Sequence, residues 1–170
     1  MIWGSIILKF NSFSEARAFF TSHPANCISS GFGLGLITIA PGTIGTLLAF
    51  PVYEILLLLV DPGKILVAII VMFLIGIWAS AETGELLGEH DSSVIVWDEV
   101  VAFCIVLFFT PNHLFWALLA FFIFRFFDIF KPYPINLIDA ELANGLGVML
   151  DDVVAAFYTL LCLALVKLLV

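Results

Sequence analysis

The chain carries little positive charge: six Lys and Arg in 170 residues, against fourteen Asp and Glu, for a formal net charge of −8. A phosphate backbone needs basic surface, so nucleic acid is excluded as a partner. Sulfur and imidazole are also scarce. Cys27, Cys104 and Cys162 stand far apart, no Cys-x-x-Cys occurs, and there are three histidines. This excludes a zinc site of ordinary spacing, and Cys104 and Cys162, inside apolar runs, read as small buried hydrophobes. Charge of either sign makes up only 12% of residues, whereas 63% are hydrophobic and the mean hydropathy is +1.19. That is the composition of an all-α, polytopic helical membrane protein. No stretch is left over for a separate soluble core, so residues 1–170 read as a single membrane-embedded domain.

Apolar runs cover roughly residues 44–60, 65–81, 94–110, 113–130 and 148–169. If each crosses, the chain has four to five spans. Simple alternation then gathers twelve of the fourteen carboxylates on one face, leaving only Glu54 and Asp61 elsewhere. Lys9, Arg17, Arg125 and Lys131 fall on that face, and Lys64 and Lys167 on the other, which makes the acidic face cytoplasmic by the positive-inside rule. Glu54 and Pro51 within the first run predict a kinked, protein-facing helix.

The N-terminal residues 1–23 read as an interfacial segment. Met1–Leu8 lacks the positive region of a cleavable signal. Ser12-Phe-Ser-Glu15 matches a capping box opening a short amphipathic helix, which Pro24 closes. Residues 25–36 are apolar and glycine-rich but too short for an ordinary span, so a buried or re-entrant helix is expected.

The charged residues group into recognisable sets. Asp98-Glu99 and Asp151-Asp152 are two carboxylate doublets near the starts of apolar helices. Neighbours on a helix point about 100° apart, so both members of a doublet rarely reach one ligand. Asp91, seven residues before Asp98, shares its face if the helix extends that far, with Ser92 or Ser93 as its cap. Arg125, Asp128 and Lys131 recur every three residues and form one stripe. It is either a salt-bridge ladder, or two phosphate-binding cations beside a metal-binding acid. Ala40-Pro-Gly-Thr-Ile-Gly-Thr46 places Thr43 and Thr46 hydroxyls at a helix start, where anions bind, but no Lys follows the second glycine as in a Walker loop. Hard oxygen donors without a Cys or His set favour Mg²⁺. His90 beside Asp91 is a weaker acid–base candidate.

Taken in order, Gly33-Leu-Gly35, Ala40–Thr46, His90-Asp91, Val94–Glu99, Phe124–Asp128, Lys131-Pro-Tyr-Pro134 and Gly145–Val154 make the chain resemble the phosphatidylglycerophosphatase A family of bacterial phospholipid phosphatases. The resemblance implies Mg²⁺-dependent removal of the terminal phosphate from phosphatidylglycerophosphate in the bacterial inner membrane, with the active site facing the cytoplasm. It implies Asp91, Asp98, Glu99, Asp128, Asp151 and Asp152 as metal ligands. Asp98, Asp128, Asp151 and Asp152 are then candidates for the reaction itself, through an activated water or an Asp nucleophile. Thr43, Arg125 and Lys131 become phosphate contacts. Asn144 departs from the family pattern, standing where a further glycine is expected. The rival reading is a small ion- or proton-coupled transporter, which needs acids near mid-span on several helices and inverted repeats. Only Glu54 lies that deep, and no repeat is visible. A non-catalytic assembly subunit would leave Arg125 and Lys131 unexplained.

Overall fold

The computed structural model describes residues 10, 12–37 and 39–169, and these are almost wholly helical. The helices are α1 (Phe13–Ser22), α2 (Pro24–Ser29), α3 (Pro41–Leu59), α4 (Ile65–Leu87), α5 (Trp97–Phe109), α6 (Leu114–Phe130), α7 (Ile135–Glu141) and α8 (Gly145–Leu169), with 3₁₀ turns at Leu34–Leu36 and Pro62–Lys64. The signal-peptide reading of Met1–Leu8, and Lys9 in the charge count, lie outside the described residues. α1 starts where the capping box places it, with Ser12 Oγ accepting from the Glu15 N–H at 3.2 Å.

α5 occupies the centre of the bundle, packed against α3, α4 and α8. Its Val100, Val101, Ala102, Phe103, Cys104 and Val106 are fully buried. Phe103 lies among the rings of Phe50, Phe121 and Phe124 at 5.3, 6.1 and 5.4 Å. By contrast α3, α4, α6 and α8 expose large apolar side chains such as Leu58, Leu74, Phe122 and Leu165. A helix that is apolar all round is either lipid-facing or enclosed by protein, and α5 is the enclosed one. Among the described residues three helical stretches are long and apolar enough to cross a membrane: Pro41–Leu59, Pro62–Leu87 and Gly145–Leu169. α6, at 17 residues, extends about 25 Å, and α5, at 13 residues, only about 20 Å of a hydrocarbon layer about 30 Å thick.

Close approach between helices is bought with small residues, as is usual in membrane bundles. A Cβ on Gly145 would strike the Ile77 carbonyl, and one on Gly76 would lie 2.6 Å from the Met149 methyl. These glycines seat the start of α8 against the end of α4. α2 is joined to α4 by a buried polar chain. Ser29 Oγ and Thr83 Oγ1 lie 2.7 Å apart, and Thr83 donates to Asn26 Oδ1 at 3.0 Å. The short α2 is thus a buried helix rather than part of a span.

The segment before α5 differs from expectation. The helix does not reach back to Ser92 or Ser93; it begins at Trp97, after Val96 with φ −140° and ψ 1°. Ser92 and Val94–Val96 are buried instead, and the Val96 N–H donates to the Ser29 carbonyl at 2.8 Å. That bond ties the strand-like approach to α2 and stops the helix from extending further. Asp91 therefore shares no helix face with Asp98. Glu54 is exposed rather than protein-facing, because α3 turns Gly45, Thr46 and Ala49 inward. It lies in a cleft with Tyr53, Asn112 and His113, well along α3 from the acidic end.

Candidate active site

The starts of α3, α5 and α8 and the end of α6 converge on one cleft of about 300 Å³. Asp91, Asp98, Glu99, Arg125, Asp128, Lys131, Asp151 and Asp152 all line it, beside Ala40, Pro41, Gly42 and Ile129. Six of the twelve carboxylates that alternation assigns to one face meet in this cleft. Glu82, Glu85, Glu89 and His90 share that end but stay exposed and outside the cleft wall.

Gly42 and Gly45 set the floor. A Cβ on Gly42 would collide with Glu99 Oε1 and come within 3.0 Å of Arg125 Nη1. A Cβ on Gly45 would lie 2.9 Å from the Val96 carbonyl and 3.1 Å from Glu99 Oε2. The two glycines, on one face of α3, let the acidic start of α5 sit directly on the helix. Spacing alone made this tract look like an anion loop, so the role of its glycines was missed. Thr43 is half-buried on the first turn of α3 and does not line the cleft. Thr46 does more: it donates to the Gly42 carbonyl at 2.9 Å and accepts from Arg125 Nη1 at 3.4 Å.

Within the cleft the charges divide into two sets. Arg125 pairs with Asp128 one turn along α6 and lies 3.9 Å from Glu99 Oε1. Lys131 turns to α8 and bonds Asp151 Oδ2 at 2.7 Å, with Asp91 at 3.7 Å. It reaches there from a left-handed backbone, φ +40°, at the end of α6. Glycine usually fills that position, and a lysine occupies it at a conformational cost. Asn144, the departure from the family pattern, proves to be a cap: its Oδ1 accepts the N–H groups of Leu146 and Gly147, each at 3.0 Å.

The second set is unpaired. Asp98 Oδ1, Glu99 Oε2 and Asp152 Oδ2 are buried and have no hydrogen-bond partner, as is Arg125 Nε. Asp98, Glu99 and Asp152 can each bring a carboxylate oxygen within 4.8 Å of the others. Asp98 and Glu99 thus approach one centre despite the roughly 100° separation of neighbours on a helix. Orphaned buried carboxylate oxygens are costly, and several that converge in a small volume repel each other. Six carboxylates against two cations leave four excess negative charges in the cleft if all are ionised. A phosphate would not enter such a field unaided. Three carboxylates grouped in this way form an all-oxygen donor set of the kind that hard divalent cations favour.

A sequence model of the phosphatidylglycerophosphatase A family matches residues 27–167. A Haemophilus influenzae protein named phosphatidylglycerophosphatase A is 44% identical over 140 residues, 82% of this chain and 86% of its own length. The Escherichia coli protein of that name is 37% identical over 136 residues, 79% of this chain and 78% of its own. A Bacteroides thetaiotaomicron protein provisionally named a phosphatidylinositol-3-phosphatase is 37% identical over 147 residues, covering 82% of this chain and 91% of its own. No solved structure matches the chain.

Proposed function

The chain belongs to the phosphatidylglycerophosphatase A family, and we propose that Asp98, Glu99 and Asp152 hold the Mg²⁺ with which it works. It is a phosphoric monoester hydrolase that removes the terminal phosphate of phosphatidylglycerophosphate and yields phosphatidylglycerol. The observation that carries the metal assignment is that Asp98, Glu99 and Asp152 bring carboxylate oxygens within 4.8 Å of one another beside two cations, each also keeping one buried oxygen without a hydrogen-bond partner. When bound, the ion supplies Lewis-acid neutralisation of the phosphate oxygens.

The chain's own residues do the rest. Arg125 offers its unpaired Nε–H to a phosphate oxygen, and its contacts with Asp128, Thr46 and Glu99 fix the guanidinium plane. Lys131 approaches from the other side of the cleft, held by Asp151. The two cations stand six residues apart along α6, roughly 9 Å, which suits clasping one phosphate group from two sides. Asp98 and Asp152, buried and free of cation partners, are the groups best placed to act at the phosphorus or on its attacking water.

In the bacterial inner membrane α3, α4, α6 and α8 face lipid, the shorter α5 lies enclosed among them, and the cleft opens to the cytoplasm. The exposed apolar faces of the four outer helices support this arrangement. Phosphate release from phosphatidylglycerophosphate by purified protein in detergent tests the reading. Release should require Mg²⁺ and stop in excess EDTA; undiminished release in EDTA overturns the metal, and no release from this lipid overturns the substrate. Cysteines introduced at the exposed Ser93 and Asn136 should label from the cytoplasm and one at Gly63 from the opposite side.

A further inference from the structure

We propose that one acyl chain of the lipid substrate lies in an apolar groove on the outer side of α6 and α8, beside Cys162; this rests on the phosphatase reading above. The groove, of about 330 Å³, is lined by Phe122, Ile123, Phe126, Phe127 and Cys162. With no charged group or hydroxyl in its wall, it can recognise its occupant only by shape, as a hydrocarbon chain requires.

Its position connects it to the cleft. Ile129 lines the cleft and is 66% exposed. Phe122, Phe126 and Ile129 follow the i, i+4, i+7 spacing of a single helix face. Phe130 extends that face, its ring 4.6 Å from that of Phe126. Exposed apolar side chains of α6 therefore lie between the phosphate-binding residues and the groove. From Ile129 to Phe122 the helix rises about 10 Å, and from Asp151 to Cys162 about 16 Å. One leaflet of hydrocarbon is about 15 Å deep. The groove thus lies within the reach of an acyl chain in the leaflet next to the cleft.

Cys162 is a small residue on α8 between the large, exposed Leu161 and Leu165. Its size leaves the space opposite Phe122 and Phe126 open. Nothing in the phosphate chemistry calls for its thiol. A head group bound in the cleft fixes where the chain begins, so the groove meets that chain at a high effective concentration, unlike bulk lipid.

Kinetics in one detergent should compare phosphatidylglycerophosphate bearing two hexadecanoyl chains with the same lipid bearing two hexanoyl chains. Cys162→Trp fills the groove and should raise KM for the long-chain lipid by ~10-fold or more, with kcat and the short-chain KM within about 2-fold of the parent. Alkylation of native Cys162 by a maleimide, in a Cys27→Ser background, should be slowed by the long-chain lipid and not by the short one. This second readout needs neither turnover nor the Trp variant to fold. Equal KM shifts or equal protection with both lipids overturns the groove, as does a dimer cross-linked through Cys162, which would make the face a contact between copies. Failure of the parent protein to release phosphate from either lipid overturns the phosphatase reading instead.

Discussion

The doublets Asp98-Glu99 and Asp151-Asp152 look alike as sequence and are used differently. On α5 both acids send an oxygen to the same centre, and each keeps one oxygen without a partner. On α8 only Asp152 does so; Asp151 is taken by Lys131 and by the N–H of Asp152. The difference comes from what faces the second member. Glu99 meets Arg125 at 3.9 Å, a distance that leaves its other oxygen free. Asp151 has a lysine brought to 2.7 Å by the turn that ends α6. Adjacent carboxylates thus become two ligands, or one ligand and one anchor, according to the cation across the cleft.

The largest effect should come from the members assigned to the shared centre. Asp98→Asn and Asp152→Asn should each lower turnover by ~10²-fold or more, a barrier increase of about 2.7 kcal/mol. Melting temperature without Mg²⁺ should hold or rise, since one buried repelling charge is removed, while the rise on adding Mg²⁺ should shrink. Normal turnover in the folded variants would dissolve the distinction between the doublets.

Gly42→Ala acts on the α5 side of the cleft. Its new methyl meets Glu99 Oε1 and the Arg125 guanidinium, so both side chains must shift, while neither acid of α8 is among the atoms it meets. Turnover should fall ~10- to 30-fold and stability by about 1–3 kcal/mol, as for other overpacked sites. A double variant with Asp98→Asn should lose little beyond the single change, because both act on one unit; full additivity would show that Gly42 serves something else.

Asp151→Asn should read as loss of an anchor. Lys131 is partly exposed, so stability should fall by only about 1–2 kcal/mol, and KM should rise more than kcat falls. The Mg²⁺-induced gain in melting temperature should persist, and its disappearance would make Asp151 a ligand like Asp152. The smallest effect belongs to Asp91→Asn, whose side chain is 60% exposed and 3.7 Å from Lys131. Turnover and melting temperature should stay within about 2-fold and 1 °C, as for most surface pairs.

Much of this arrangement was legible in the chain. Alternation of five apolar runs put the acids at one end, and the spacing of Arg125, Asp128 and Lys131 put the cations on one stripe. Residues 94–110 were legible only as apolar, since periodicity does not separate a helix wrapped in protein from one wrapped in lipid. Nor did the sequence reveal where α5 begins, because a single bond from Val96 to Ser29, 67 residues away, determines it. Gly42 and Gly45 were hidden for a similar reason: their role is to leave room for Glu99, and empty room has no signature until the partner helix is in place. Asn144 looked like a lapse from the family pattern because a cap is recognised by what its side chain accepts.

Lys131 carries a consequence for how this protein can change. A glycine there would relieve a left-handed backbone by about 1–2 kcal/mol, yet would strand the buried carboxylate of Asp151 at a comparable cost. The two nearly cancel, so a screen for heat tolerance would scarcely register the replacement, in either direction. Only selection on phosphate release would see it. Selection on phosphate release therefore weighs more heavily on this helix end than selection for heat tolerance does.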